Sequence, residues 1–358
     1  MKILSVNNAY YPDKGGFSFR TQRIFETYSK NGHEVTVITP SIITDETIDH
    51  QYKSLTNITI HRKTNKLSTF FTFRRLLKKE KYDYVITHNF FWWLVSSFFL
   101  KKDRLIHEVH SLKFYKSFIL KNFQKYILKK WLSNRTSCCF VLSQQAKKIL
   151  VNHFNFSPEV IVFSPNGYDN TNKPVINKTR SNKFIIGYAG TLHEWQGVKN
   201  IIENVDKLLN IGSDVRVHFI GGGPLLSLIK SKLSSNIREG KVFVSGYVDN
   251  SIYHQYISEF SVFLIRRDST TLNNSAIPLK IFDAIKNNIP VVMSDLMALR
   301  EVLDENSALL YDSSKPEKIV KKCELLYNNR SLQSKLINNA NLKLKKWPTF
   351  EDVGIKQL

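Results

Sequence analysis

Two periods of apolar residues alternate along this chain. Short runs such as Ile3 to Val6, Val35 to Thr39, Tyr84 to Thr87, Leu105 to Val109 and Ser137 to Leu142 have the make-up of buried strands. Between them the apolar residues recur every three or four positions. Phe17, Ile24, Phe25 and Tyr28 do so after the Gly15-Gly16 loop, and this spacing predicts an amphipathic helix that Asn31-Gly32 closes. A second series of runs begins at Phe184 to Ala189 and continues through Val215 to Ile220, Val242 to Ser245, Val262 to Ile265 and Val291 to Met293. Such alternation predicts parallel sheets covered by helices on both faces. The polar stretch from Asp169 to Asn182 parts the two series and has the composition of a linker. The last helical pattern starts at Ser331 and meets Pro348, which should bend or end it.

Composition narrows the class. At 358 residues, with 42% hydrophobic and 12% aromatic residues, the chain suits two packed domains and excludes a disordered one. Cys138, Cys139 and Cys323 are odd in number and two are neighbours, so no disulfide framework is expected and a reducing cytoplasm is the simplest setting. The amino terminus is expected to be a strand and not a signal peptide. The most apolar run, Phe90 to Leu100, is short of the about 20 residues of a spanning helix. The net charge is +22, and residues 1–170 hold 26 Lys and Arg against 12 Asp and Glu. That bias suggests an anionic partner, and no nucleic-acid motif accompanies it. Lysines interleave with aromatics from Lys113 to Lys130, where Lys121, Lys125 and Lys129 share one helix face, and again from Phe70 to Lys79. Both stretches suit adsorption to an anionic membrane. They equally suit core-packed helices with a solvated lysine face.

One run carries the most chemistry. In Ser275-Ala276-Ile277-Pro278-Leu279-Lys280-Ile281-Phe282-Asp283-Ala284 a proline, a lysine and an acid fall on the first turns of a helix leading into the strand at Pro290-Val291-Val292. Four further motifs stand in order before it. They are Tyr11-Pro12-Asp13-Lys14-Gly15-Gly16, Asn31-Gly32-His33-Glu34-Val35-Thr36-Val37, Pro165-Asn166-Gly167-Tyr168-Asp169, and Gly187-Tyr188-Ala189-Gly190-Thr191-Leu192-His193-Glu194-Trp195-Gln196-Gly197-Val198. Together, over nearly the whole chain, they resemble the retaining glycosyltransferases of family 4.

The resemblance implies a GT-B fold, two Rossmann-like doubly wound domains facing a cleft. It implies an acceptor-binding domain over 1–170, a nucleotide-sugar-binding domain over 183–340, and a segment at 341–358 that returns to the first domain. Asp283 takes the place of the family acid that holds the donor ribose, one methylene shorter. Three positions depart from the family pattern: Ser275 stands for a second acid, and Thr191 and Gln196 stand for an Arg and a Lys that neutralise the donor diphosphate. Lys280 with Arg266 or Arg267 is expected to supply the missing cations. Backbone amides after Gly16 and Gly190 are expected to face phosphate at helix starts, and Gly197 is assigned to the donor with them. His110 resembles the active-site histidine near the transferred sugar, while Tyr11 and His88 are assigned to the acceptor. His107 and His110, three apart on a strand, fall on opposite faces, so neither a metal nor another cofactor is expected.

The expected activity is sugar transfer from a nucleotide-sugar to a hydroxyl of a glycan or lipid-linked acceptor, with retention. The expected place is the cytoplasm, at the inner face of the cell membrane. A nucleotide-sugar epimerase on the same fold and a catalytically impaired glycan- or membrane-binding protein are the alternatives.

Overall fold

The structure is a computed structural model and describes residues 1–11, 13, 15–40, 57–110, 112–170 and 182–358. Pro12 and Lys14 of the first glycine loop, and residues 171–181 of the expected linker, lie outside the described residues. The chain divides into two compact units.

Unit 1 comprises Met1–Gly167 and Pro348–Leu358. Its seven strands are β1 (Lys2–Val6), β2 (Glu34–Pro40), β3 (Ile58–Lys63), β4 (Tyr84–Thr87), β5 (Leu105–Val109), β6 (Cys138–Val141) and β7 (Ile161–Phe163). They form one parallel sheet in the order β3-β2-β1-β4-β5-β6-β7. In β1 every residue from Ile3 to Val6 is buried, as a strand covered on both faces requires. The strand order reverses between β1 and β4, so the loops leaving these two strands diverge and open a crevice at their carboxyl ends. The helices α1 (Gly16–Lys30), α2 (Lys66–Lys79) and α3 (Phe90–Phe99) cover the sheet, α4 (Phe118–Ile127) lies at the surface with one buried residue, and α5 (Gln144–Phe154) completes the cover. Trp92, Trp93, Phe73, Leu132 and Leu150 fill the core with Leu4 and Val85 from the strands.

Unit 2 runs from Tyr168 to Trp347. Its parallel sheet has six strands: β8 (Phe184–Ala189), β9 (Val215–Ile220), β10 (Val242–Val244), β11 (Val262–Ile265), β12 (Val291–Ser294) and β13 (Leu309–Tyr311). Their order is β10-β9-β8-β11-β12-β13, and the switch point is between β8 and β11. Residues of β11 alternate between two cores, with Val262 and Leu264 on one face and Phe263 and Ile265 on the other. The helices that bear on the site are α6 (Val198–Glu203), α7 (Thr271–Asn274) and α8 (Lys280–Lys286).

The chain ends in α9 (Arg330–Leu344) of unit 2 and α10 (Phe350–Gln357) of unit 1. Pro348 separates them, and Thr349 with Asp352 forms a capping box on α10. Gly354 lets α10 approach α1 closely: a Cβ there would sit 2.7 Å from the Cβ of Thr27. The hydroxyl of Tyr28 donates to Gln357 at 2.6 Å. The return to unit 1 begins at Pro348, and residues 341–347 stay with unit 2.

Candidate active site

In unit 2 the site grows from the carboxyl ends of β8 and β11. Successive residues of an extended chain point opposite ways, so Arg266 and Arg267 leave β11 in different directions. Arg267 donates from Nη1 to the Ala276 carbonyl at 3.0 Å and from Nε to Gln196 Oε1 at 3.4 Å, and it lies over the Trp195 ring. Its backbone N–H donates to Ser294 Oγ at the end of β12. Burial pushes this guanidinium down to about 10.

Lys280, the first residue of α8, is buried, and its Nζ has no hydrogen-bond partner. The amine sits 4.1 Å from the centre of the Tyr188 ring, whose hydroxyl is fixed by the Thr191 carbonyl at 2.9 Å. Burial, and then the charge of Arg267, push the ammonium well below its ordinary value. An unpaired buried amine beside a second cation is costly, and it becomes favourable when an anion arrives. Gly190, at φ 131°, holds the turn above it. Lys280, Arg267, Gly190, Thr191 and Gln196 are thus brought together around Tyr188 and Trp195.

The other residues expected in this unit have contacts of their own, although Arg266 also keeps Nε and Nη1 buried without a partner. Arg266 turns to Asp268 at 2.7 Å and to the Ser313 carbonyl at 3.0 Å, and its stem packs against Gly197. Ser275 is buried and its hydroxyl donates to the Leu272 carbonyl at the end of α7. Asp283 lies one turn along α8 from Lys280 and accepts the Tyr253 hydroxyl at 2.9 Å. Burial raises this carboxyl, against the opposing pull of His254 and Tyr253.

In unit 1 the carboxyl ends of β1, β4 and β5 gather a polar cluster. Glu108 is buried on β5, and its Oε1 accepts a hydrogen bond from Arg20 Nε of α1 at 2.6 Å and lies 2.5 Å from Nη2 of the same ion pair. Its Oε2 faces His88 Nδ1 at 3.2 Å and His110 Nε2 at 3.5 Å, and the two ring nitrogens are 3.2 Å apart. Burial alone would raise Glu108, but Arg20 and the histidines hold it well below the usual carboxylate range. Burial, partly offset by Glu108, pushes His110 down to about 4, so its ring is neutral near pH 7. Phe17 packs on the edge of His110 with ring centres 4.5 Å apart. His107 points the other way, stacked on Trp93 at 3.7 Å and bonded to Thr87. Gly16 opens α1 after Gly15, and no side chain caps that helix. Tyr11 gives its carbonyl to Arg62.

Glu108 and Arg20 escaped the sequence reading. Glu108 and His110 are two apart at a strand end and so share a face, which is the signal that could have found the acid. Arg20, distant in sequence, left none. Among the described residues, His88, Glu108 and His110 are the one group of three His, Cys, Asp or Glu side chains whose ligand atoms lie within 4.8 Å of one another. The three cysteines are free, and burial raises the thiol of Cys138 to about 11 and the other two further.

Residues 14–172 match the family model described as Glycosyltransferase Family 4, and residues 169–343 match the one described as Glycosyl transferases group 1. Among curated proteins the chain is similar to Protein CapJ of Staphylococcus aureus, with 24% identity over 162 residues, 45% of this chain. The match spans only 38% of that relative's length. Among solved structures, Anabaena HepE in complex with UDP has a TM-score of 0.79 at 14% identity, covering 100% of this chain and 98% of that one. A glycosyltransferase from Rickettsia africae has a TM-score of 0.76 at 15% identity, covering 99% and 96%. A mutant of S. aureus TarM in complex with fondaparinux, alpha-GlcNAc-glycerol and UDP has a TM-score of 0.75 at 14% identity, covering 99% and 98%. Likeness at such identities establishes the fold, two Rossmann-like α/β domains of the GT-B kind. With two consecutive glycosyltransferase models leaving only its ends uncovered, the chain belongs to the GT-B glycosyltransferases.

Proposed function

We propose that this protein is a retaining glycosyltransferase that moves a sugar from a nucleoside diphosphate sugar to a hydroxyl of a glycan or lipid-linked acceptor. The observation that carries the reading is the unpaired amine of Lys280, buried beside Arg267. An arriving diphosphate satisfies both groups at once, and its charge grows as the glycosidic bond breaks, so the two cations stabilise the leaving group. They serve in place of a metal ion. Gln196 orients Arg267, which explains how an uncharged residue stands where the family has a cation. Asp283 keeps one carboxylate oxygen for the ribose, and Gly16, Gly190 and Gly197 belong to the donor loops. The bond from the anomeric carbon to phosphate breaks as the bond to the acceptor oxygen forms on the same face. The hydroxyl proton passes to the leaving phosphate oxygen, giving nucleoside diphosphate and glycoside. His110 and His88 offer polar groups to sugar hydroxyls. The TarM and HepE structures contain UDP, which makes UDP-sugars the first donors to try.

The acceptor side of the reading rests on the surface of unit 1. In α4 the one buried residue is Gln124, while Phe118 and Ile119 are 77% exposed and Tyr126 is 62% exposed. This is the reverse of a core-packed helix. Further aromatics lie on neighbouring elements: Phe70 of α2 meets Phe99 of α3 at 5.9 Å, and Phe98 of α3 meets Trp131, four residues beyond α4, at 5.2 Å. No acid occurs from Lys113 to Arg135, in α2 or in α3, against six lysines and an arginine in the first of these stretches alone. Aromatics among unopposed cations fit an anionic lipid surface. Among the described residues no helix is long and apolar enough to cross a membrane. We therefore read the protein as peripheral on the cytoplasmic face, close to a lipid-linked acceptor.

The experiment is a screen of UDP-, GDP-, ADP- and dTDP-sugars for turnover with and without glycan and lipid-linked acceptors, with NMR of the product's anomeric proton. Transfer with retained configuration supports the reading, and inversion refutes retention. Isomerised donor without acceptor would make the protein an epimerase, and donor binding without turnover would make it a binding protein.

A further inference from the structure

We propose that Glu108, fixed by Arg20, is a positioning residue that locks His88 and His110 into a pair sharing one proton, so that His110 offers its outer Nδ1–H as a donor to a sugar oxygen. The part about the sugar rests on the function proposed above, while the locked pair does not. Arg20 is fully buried and is held on every side, by Glu108, by the carbonyls of Ser164 and Pro165, by Ser164 Oγ and by Asn166. It cannot leave Glu108 for a ligand, so Oε1 stays with Arg20 and Oε2 stays on the two rings.

Two ring nitrogens 3.2 Å apart hold one proton between them, because two lone pairs or two N–H groups facing each other repel. Two observations say whose proton it is. Glu108 Oε2 is nearer to His88 Nδ1, at 3.2 Å, than to His110 Nε2, at 3.5 Å, so the carboxylate favours an N–H on His88. The second concerns His88 Nε2, which faces Ser5 Oγ at 3.1 Å. With Ser5 donating to Asn7 Oδ1 at 2.7 Å, the Asn7 Nδ2 group is buried without an acceptor. Turning the amide over lets Nδ2 donate to Ser5 Oγ and frees the Ser5 hydrogen for His88 Nε2. The line then runs Asn7 to Ser5 to His88, and His88 Nδ1–H serves Glu108 and His110 Nε2. His110, neutral near pH 7, must carry its own proton on Nδ1. The groups facing the pair are Ser5 and Asn7 of the β1 end, Arg20 and Phe17 of α1, and Glu108 of β5.

The test is a long-range proton–nitrogen spectrum of the full chain labelled with ¹⁵N-histidine, at pH 7 and without substrate. His88 is expected to carry a proton on Nδ1, and His110 is expected as the Nδ1–H form. His110 protonated on Nε2, or averaging between its two forms, overturns the assignment. Asn7→Asp forces Ser5 to donate to the new carboxylate and so to accept from His88 Nε2, and is expected to place a proton on that nitrogen; a His88 Nε2 left unprotonated would count against the line. The double variant Arg20→Met with Glu108→Gln removes both charges together, which avoids stranding one, and is expected to let His110 average. A His110 signal unchanged in that variant overturns the role of Glu108. Zn²⁺ added to EDTA-dialysed protein is expected to leave both rings unmoved, and a joint shift would make the cluster a metal site instead. With an active donor, the double variant is expected to lower kcat about 10- to 150-fold, the size of a hydrogen bond to a charged group, with donor KM within about twofold. If no sugar turns over at all, the spectra still decide the locked pair.

Discussion

Replacing Lys280 with methionine keeps the length of the side chain and removes its charge, and the structure dictates two opposite consequences. Without donor, the wild-type amine is buried, has no hydrogen-bond partner and is repelled by Arg267, with only the Tyr188 ring to favour it. Deleting an unsatisfied buried polar group returns about 1–3 kcal/mol, and losing the ring contact takes back about 1. Lys280→Met should therefore raise Tm slightly or leave it unchanged. With donor, the same change removes a hydrogen bond to a charged group worth about 1.5–3 kcal/mol, a loss of about 10- to 150-fold in Kd for a nucleoside diphosphate.

A third consequence follows from linkage. The ammonium lies well below its ordinary value in the free protein and is raised by the diphosphate, so binding takes up a proton. Affinity then falls as pH rises from the free value toward the bound one, by at most about a decade per pH unit. Calorimetry of UDP binding in buffers of different ionisation enthalpy, at one pH inside that window, measures the uptake directly. Up to about one proton per site is expected in the wild type, and that component is expected to vanish in Lys280→Met. Equal uptake in both proteins, or a lower Tm with unchanged Kd, would refute the placing of the diphosphate at this amine.

Asp283→Ala should weaken UDP about 10-fold or more, the size of a hydrogen bond to a charged group, but should weaken the 2′-deoxy analogue less, because the carboxylate addresses the ribose. An equal loss for both nucleotides would leave Asp283 as a partner of Tyr253 alone. Gly197→Ala should cost about 1–3 kcal/mol in denaturant unfolding: its φ is 71°, and a Cβ would lie 2.6 Å from Arg266 Cγ and 2.9 Å from a backbone oxygen. Phe118→Ser with Phe123→Ser should abolish sedimentation with vesicles of anionic lipid while leaving Tm unchanged, since both rings are exposed. Sedimentation of the wild type with neutral vesicles alone would contradict the role given to the lysines.

The buried strands were legible because both their faces are covered: β1, β4, β5, β8, β9, β11 and β12 appear in the sequence as apolar runs. Of the edge strands, β10 was also legible as the run from Val242, whereas β3, β7 and β13 were not. β3 carries Thr59, His61, Arg62 and Lys63 and is only partly buried, while β7 and β13 have three residues each, too few to establish a period. The helix around Lys280 and Asp283 was legible from its proline and its place before β12. Which arginine accompanies Lys280 was not, because that depends on where the chain leaves β11, and one residue of register sends Arg266 to Asp268 and Arg267 to Gln196.

Charge pattern is ambiguous for a related reason. The lysines of α4 look the same in sequence whether the aromatics between them face the core or solvent, since helical spacing fixes which residues share a face and not where that face points. The packing decides it, and here a glutamine takes the buried position: Gln124 accepts the Tyr115 amide and donates to the Lys113 carbonyl. Those two bonds satisfy the loop before α4 with a polar side chain, and of the helix's apolar residues Ile127, at its end, packs on the core while Phe118, Ile119, Leu120, Phe123 and Tyr126 stay exposed. An exposed Phe118 and Ile119 are then a consequence of how α4 is anchored, and the lysines around them lie where an anionic surface can meet both.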